Sequence, residues 1–230
     1  MELTPRLRAI ADMVPRGALF ADIGTDHAYL PTWLLLNGVI NYAIAADLRE
    51  GPLERARETA QKYSVAAQMD FRLCDGLTAV QEGEATAIAI AGMGGDTIAH
   101  ILSQAPWTRN PNITLFLQPM TSQPDLRQWL FENEYCIETE CVVREGEKLY
   151  TILRVRAGNM DELSLAELWA GKQSREPLRG EFLNHTIKKV NRALVGHRSA
   201  TQPDEEAIQR FEQILLGLNA MKEEWDRWQP

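Results

Sequence analysis

The sequence predicts a doubly wound α/β domain, a seven-stranded sheet with an antiparallel last strand, followed by a small helical domain. Three observations carry this. Short apolar runs alternate with longer amphipathic runs through the first two-thirds of the chain, the pattern of a parallel sheet with crossover helices. Two more β-type runs then face each other across a tight turn. Beyond Ala157-Gly158-Asn159 the periodicity becomes helical and stays so.

Taken in order, Leu19–Ile23 reads as the first strand and Tyr29–Asn37 as a helix that Gly38 stops. Tyr42–Ala46 is a strand, and Pro52–Lys62 a helix with its proline in the first turn. Met69–Leu73 and Thr86–Ala91 are strands, a helix starts near Asp96, and Ile113–Leu117 is the fifth strand. Gln123–Glu132 is helical. Cys136–Arg144 and Leu149–Arg156, joined by Glu145-Gly146-Glu147-Lys148, form a hairpin. A short helix over Leu163–Trp169 follows. Two apolar stripes, Leu178, Phe182, Leu183, Ile187, Val190 and Leu194, then Ile208, Phe211, Ile214, Leu215, Leu218, Met221, Trp225 and Trp228, predict an antiparallel helical hairpin, with its turn at Gly196–Pro203. The expected division is therefore residues 1–158 as the α/β domain and 159–230 as the helical one.

Composition supports a globular protein. The 230 residues are 45% hydrophobic and 24% charged, enough for one full domain and a smaller one. No run approaches the ~18 apolar residues of a membrane span, and Met1–Arg8 is too polar for a signal peptide. Cys74, Cys136 and Cys141 form no C-x-x-C pair, which argues against a zinc ribbon or a disulfide framework and for a reducing cytoplasm. His100, His185 and His197 have no ligand spacing with one another or with the cysteines, so no metal is expected.

Ligands of doubly wound sheets bind at the carboxyl ends of the strands, where strand order reverses. Those ends read Asp22-Ile23-Gly24-Thr25-Asp26-His27, then Asp47-Leu48, then Asp75-Gly76, then Gly92-Met93-Gly94-Gly95. A dinucleotide fold needs G-x-G-x-x-G, and Asp26 stands at the second glycine, where it would repel a pyrophosphate. S-adenosylmethionine carries a sulfonium and an ammonium and no phosphate, so the same acids attract it. Asp47 lies about 20 residues past the loop, the spacing of an acid that grips a ribose diol, and Asp75 is placed to accept from an adenine amino group.

The runs Ala21-Asp22-Ile23-Gly24-Thr25-Asp26-His27-Ala28-Tyr29-Leu30-Pro31, Asp75-Gly76-Leu77, Ile90-Ala91-Gly92-Met93-Gly94-Gly95 and Leu117-Gln118-Pro119 closely resemble the TrmK family. These are bacterial tRNA methyltransferases acting on N1 of adenosine 22. The resemblance implies a class I methyltransferase fold, S-adenosylmethionine as donor and tRNA as acceptor. It implies that Gly24, Thr25, Asp26 and His27, with Asp22, form the methionine-side loop. Asp47 and Leu48 would meet the ribose, Asp75 and Gly76 the adenine, and Gly92 and Met93 the transferring methyl. Relatives often carry Glu where Asp47 stands.

Adenine N1 offers a free lone pair, so catalysis is expected to be alignment plus a carboxylate near the developing cation, with Asp26 in that role and Gln118 against the flipped adenine. The alternatives are a helix cap for Asp26 and a buried turn amide for Gln118. Gly92-Met93-Gly94-Gly95 replaces the D/N-P-P-Y/F segment of adenine-N6 enzymes, which argues against N6 as the target.

The net charge of −8 argues against a nucleic-acid partner, but its distribution argues for one. Between Lys172 and Arg198 stand seven bases (Lys172, Arg175, Arg179, Lys188, Lys189, Arg192, Arg198) against two acids. This stretch is the candidate tRNA contact. A methyltransferase acting on another RNA position or on a small molecule, or a non-catalytic RNA-binding module, would share many of these features.

Overall fold

A computed structural model describes residues 1–228. Near-continuous apolar sequence places β1 (Phe20–Ile23), β2 (Ala43–Asp47), β4 (Ala87–Gly94) and β5 (Thr114–Thr121) at the centre of the sheet. Such strands have no solvated face, so they must be covered on both sides. The more mixed β3 (Met69–Leu73) and β6 (Tyr135–Glu145) take the two edges, in the order β3-β2-β1-β4-β5-β7-β6. The first five strands run parallel, and β7 (Lys148–Ala157) is antiparallel to both β5 and β6.

In register, Ala21 lies between Ile44 and Ile88. The two-residue period of the strands then divides the core. Ala21, Ile23, Ile88, Ile90 and Leu115 pack under α4 (Gly95–Ser103) and α5 (Gln123–Glu132). Phe20, Ala45, Ala89 and Phe116 pack under α1 (Pro5–Met13), α2 (Tyr29–Leu36) and α3 (Glu50–Lys62). Strand order reverses between β1 and β4, which opens the ligand crevice at their carboxyl ends.

Past β7 come α6 (Leu165–Ala170), α7 (Arg179–Arg198) and α8 (Glu205–Trp228). Ser164 and Glu167 form a reciprocal capping box that starts α6. Phe182, Leu183, Val190, Ile214 and Leu218 make a separate core, with Val142 and Leu149 of the β6–β7 hairpin packed against it. Arg127 of α5 is fully buried where the helices meet the sheet. It donates to both oxygens of Glu140 at 2.9 and 3.2 Å and to the Leu168 carbonyl at 2.8 Å.

Three departures from the sequence expectation bear on the site and the helical part. Helix α1 was not expected. Strands β4 and β5 run past Ala91 and Leu117, through register shifts at Ala91/Met93 and Met93/Gly94. Helix α7 continues through Gly196 to Arg198, because one helical glycine costs only ~1 kcal/mol relative to alanine, less than a long helix contact returns.

Candidate functional site

The carboxyl end of β1 turns at Gly24, whose φ of +77° is the left-handed region that side chains avoid. The amides of Gly24 and Thr25 both donate to the Ala46 carbonyl, at 2.8 and 3.0 Å, which pins the loop to the end of β2. A Cβ at Gly24 would lie 2.2 Å from Met93 Cε, so the end of the Met93 side chain packs directly over this turn.

Asp22 lies buried beside this turn and accepts a 2.7 Å hydrogen bond from the Thr25 hydroxyl. Burial pushes its carboxyl up from the ordinary 3.8 to about 6; the Thr25 bond opposes this, and the nearby Asp47 charge adds to it. Asp47 ends β2, is also buried, and accepts from the Arg49 amide at 2.8 Å. Its carbonyl takes the Cys74 amide at 2.9 Å, which brings the Asp75-Gly76 turn alongside. Asp75 and Leu48 are exposed at the same edge.

This donor set fits a ligand that is cationic at one end and carries a ribose and a purine. Two buried carboxylates repel each other until a cation or a diol meets them, and Gly24 leaves room for close approach. Four of the large hydrophobic side chains left exposed, Tyr29, Leu48, Leu73 and Met120, stand at this edge of the sheet. Tyr29 stacks in parallel on His27, with ring centroids 5.0 Å apart. Of these, only Leu48 was anticipated; exposure of an apolar strand end is a property of the fold and is invisible in a hydropathy pattern.

The remaining expected residues are placed as follows, and one of them, Arg179, is corrected. Asp26 is exposed, and its Oδ1 accepts from Arg55 Nε and an Arg55 terminal nitrogen at 3.1 and 2.7 Å. Both partners of this pair are exposed, so it ties the loop to α3 as a surface ion pair. Asp26 does not cap α2, whose N-cap is Ala28. Gln118 is fully buried: its Oε1 accepts from Arg6 at 2.7 Å and from the Gly92 amide at 3.1 Å, and its Nε2 donates to the Pro119 carbonyl at 3.2 Å. Both ends of the amide are thus engaged within the protein. Arg179 is buried with its guanidinium on the Ala170 and Gly171 carbonyls, so it is absent from the basic surface. Lys172, Arg175, Lys188, Lys189, Arg192 and Arg198 are exposed. Arg198 is paired with Glu212 at 2.5 Å, and Arg175 and Lys189 lie over the rings of Trp228 and Trp169.

The sheet order and the acids at its strand ends define a class I methyltransferase. Residues 3–153 match the family described as a methyltransferase domain. The tRNA (adenine(22)-N(1))-methyltransferase of Bacillus subtilis is 38% identical over 161 residues, 70% of this chain and 68% of that protein. The solved B. subtilis m1A22 tRNA methyltransferase TrmK is similar over 98% of this chain and 99% of its own, with a TM-score of 0.83 and 30% identity. M. capricolum TrmK in complex with S-adenosyl-homocysteine is similar over 98% and 99%, with a TM-score of 0.79 and 25% identity. The chain belongs to the TrmK family of methyltransferases.

Proposed function

We propose that the protein transfers a methyl group from S-adenosylmethionine to N1 of adenosine 22 in tRNA. The observation that carries this is the pair of buried carboxylates, Asp22 and Asp47, flanking a glycine turn held in the left-handed region that side chains avoid. Asp22 would hold the cationic amino-acid end of the donor, Asp47 the ribose hydroxyls and Asp75 the adenine amine, with Leu48 and Leu73 against its apolar faces. The donor supplies an electrophilic methyl on a positively charged sulfur.

The acceptor needs no base. The N1 lone pair forms the new C–N bond as the C–S bond breaks; the positive charge passes to the adenine ring, and the exocyclic amine can later release a proton to water. The protein's part is to line up three atoms and exclude water, which effective-molarity measurements value at several orders of magnitude in rate. Gly92, exposed and without a side chain, leaves that face of the crevice open to the acceptor base. Asp26 instead holds α3 to the loop through Arg55.

We assign tRNA phosphates to the exposed bases of the helical domain. Lys188 and Arg192 stand one turn apart on α7, and exposed Val195 continues their face, so α7 presents one basic stripe to solvent. In this reading residues 1–158 bind the donor and residues 159–230 hold the RNA. No described helix is long and apolar enough to cross a membrane; we place the protein in the cytoplasm with its substrate. The test is incubation with labelled S-adenosylmethionine and unmodified bulk tRNA, then digestion to nucleosides. Label in 1-methyladenosine is the expected result; donor binding without incorporation into tRNA contradicts it.

A further inference from the structure

We propose that Arg6 is a positioning residue for methyl transfer: it locks the Gln118 amide, which holds the Gly92 amide and so sets the turn of β4 against Gly24. This rests on the methyl-transfer reading above. Thr4 and Pro5 start α1 one residue earlier, so Arg6 lies in its first turn, and α1 packs on β6 and β7. From there the guanidinium reaches the carboxyl ends of β4 and β5.

It is held there on several sides. One terminal nitrogen donates to Gln118 Oε1 at 2.7 Å, the guanidinium carbon stands 5.1 Å over the Tyr150 ring, and Glu145 Oε2 lies 3.7 Å from Nε. That Nε is buried and has no hydrogen-bond partner among the described residues, a cost that a surface arginine would avoid by turning outward.

The fixed guanidinium decides which way the Gln118 amide faces. Oε1 takes two donors, Arg6 and the Gly92 amide, while Nε2 donates to the Pro119 carbonyl. A reversed amide would set NH2 against both donors and oxygen against a carbonyl. The charge-assisted bond from Arg6 is the strong one of the set. Its effect passes on to Gly92, which has φ +80° and would place a Cβ 3.6 Å from the Arg6 nitrogen. The β4 register shifts at this point, and the next residue, Met93, lies across Gly24. A continuous series of contacts thus runs from the first turn of α1 to the floor of the donor crevice.

The test uses the full chain with Arg6→Ala, Arg6→Lys, Gln118→Leu and the Arg6→Ala/Gln118→Leu pair. Turnover at saturating donor and tRNA is expected to fall about tenfold or more in both Ala and Leu variants, with donor Kd and tRNA KM within about twofold of the parent. The double variant should be no worse than the poorer single one, because both break the same link. Arg6→Lys should recover much of the loss, since an ammonium still donates to Oε1. Normal turnover with a lowered Tm would make Arg6 merely structural and overturn the proposal. So would a raised tRNA KM in Arg6→Ala with Gln118→Leu silent, the signature of a phosphate contact. Hydrogen exchange at the Gly92 amide gives a reading independent of catalysis. Protection should drop in both single variants, and unchanged protection overturns the link. A parent protein that methylates no tRNA would instead overturn the functional reading, and the role in transfer with it.

Discussion

Asp22 is a carboxylate buried before anything neutralises it. Its folded pKa of about 6 lies above the ordinary 3.8, so the folded protein holds a proton there that the unfolded chain has lost. Stability from this group is therefore present below pH ~4 and is lost as pH rises through about 6, by roughly 3 kcal/mol. Asp22→Asn should raise the Tm of the ligand-free protein at pH 8 and weaken donor binding at the same pH. In the parent, donor Kd should rise as pH falls below about 6, approaching tenfold per unit. Calorimetric titrations at pH 5 and 8 read this directly, and a flat profile contradicts the assignment. Asp26→Asn, by contrast, should keep turnover within about threefold, since its charge is already spent on Arg55. The placement of Gly24 in the turn after β1 and of Asp47 at the end of β2 was legible in the sequence, because turn chemistry and spacing are local. The commitments of Asp26 and Gln118 were not, because Arg55 and Arg6 reach them from distant parts of the chain.

At the level of elements, the strands could be read closely because buried parallel strands are short apolar runs with sharp ends. Helix α1 was missed although Thr4-Pro5 is a start signal and Leu7, Ile10, Ala11 and Val14 have helical spacing; with nine residues and three charges, its stability comes from packing on β6 and β7. The extensions of β4 and β5 depend on bulges, which leave no pattern in one sequence. The joint between sheet and helices was equally hidden, since Arg127 reads as a surface base and is fully buried. Arg127→Ala strands Glu140 and the Leu168 carbonyl, and should cost about 3–5 kcal/mol in a denaturant titration. Arg127→Met combined with Glu140→Gln should recover part of that loss. A change below about 1 kcal/mol in Arg127→Ala would show that the joint is dispensable.

For the whole molecule, the proposal divides the labour between the acidic strand ends and the basic α7. In the proposed reading, the acids at the strand ends meet the cationic donor, and the local excess of bases on α7 meets phosphates. Lys188→Glu with Lys189→Glu should raise tRNA KM about tenfold or more at moderate salt and leave donor Kd unchanged; the effect should shrink as salt rises. Steady-state kinetics at two ionic strengths checks this, and a shift in donor Kd contradicts the division. The one residue of the basic stretch that sequence misplaced was Arg179, because charge count cannot distinguish a solvated base from one tied to the Ala170 and Gly171 carbonyls. The most direct test of the central claim is methyl transfer to two tRNA transcripts that differ only at position 22, with the modified site mapped by a reverse-transcription stop. We expect label and a stop at that position with adenosine 22, and neither with guanosine 22. Equal incorporation into both transcripts, or a stop elsewhere, would contradict it.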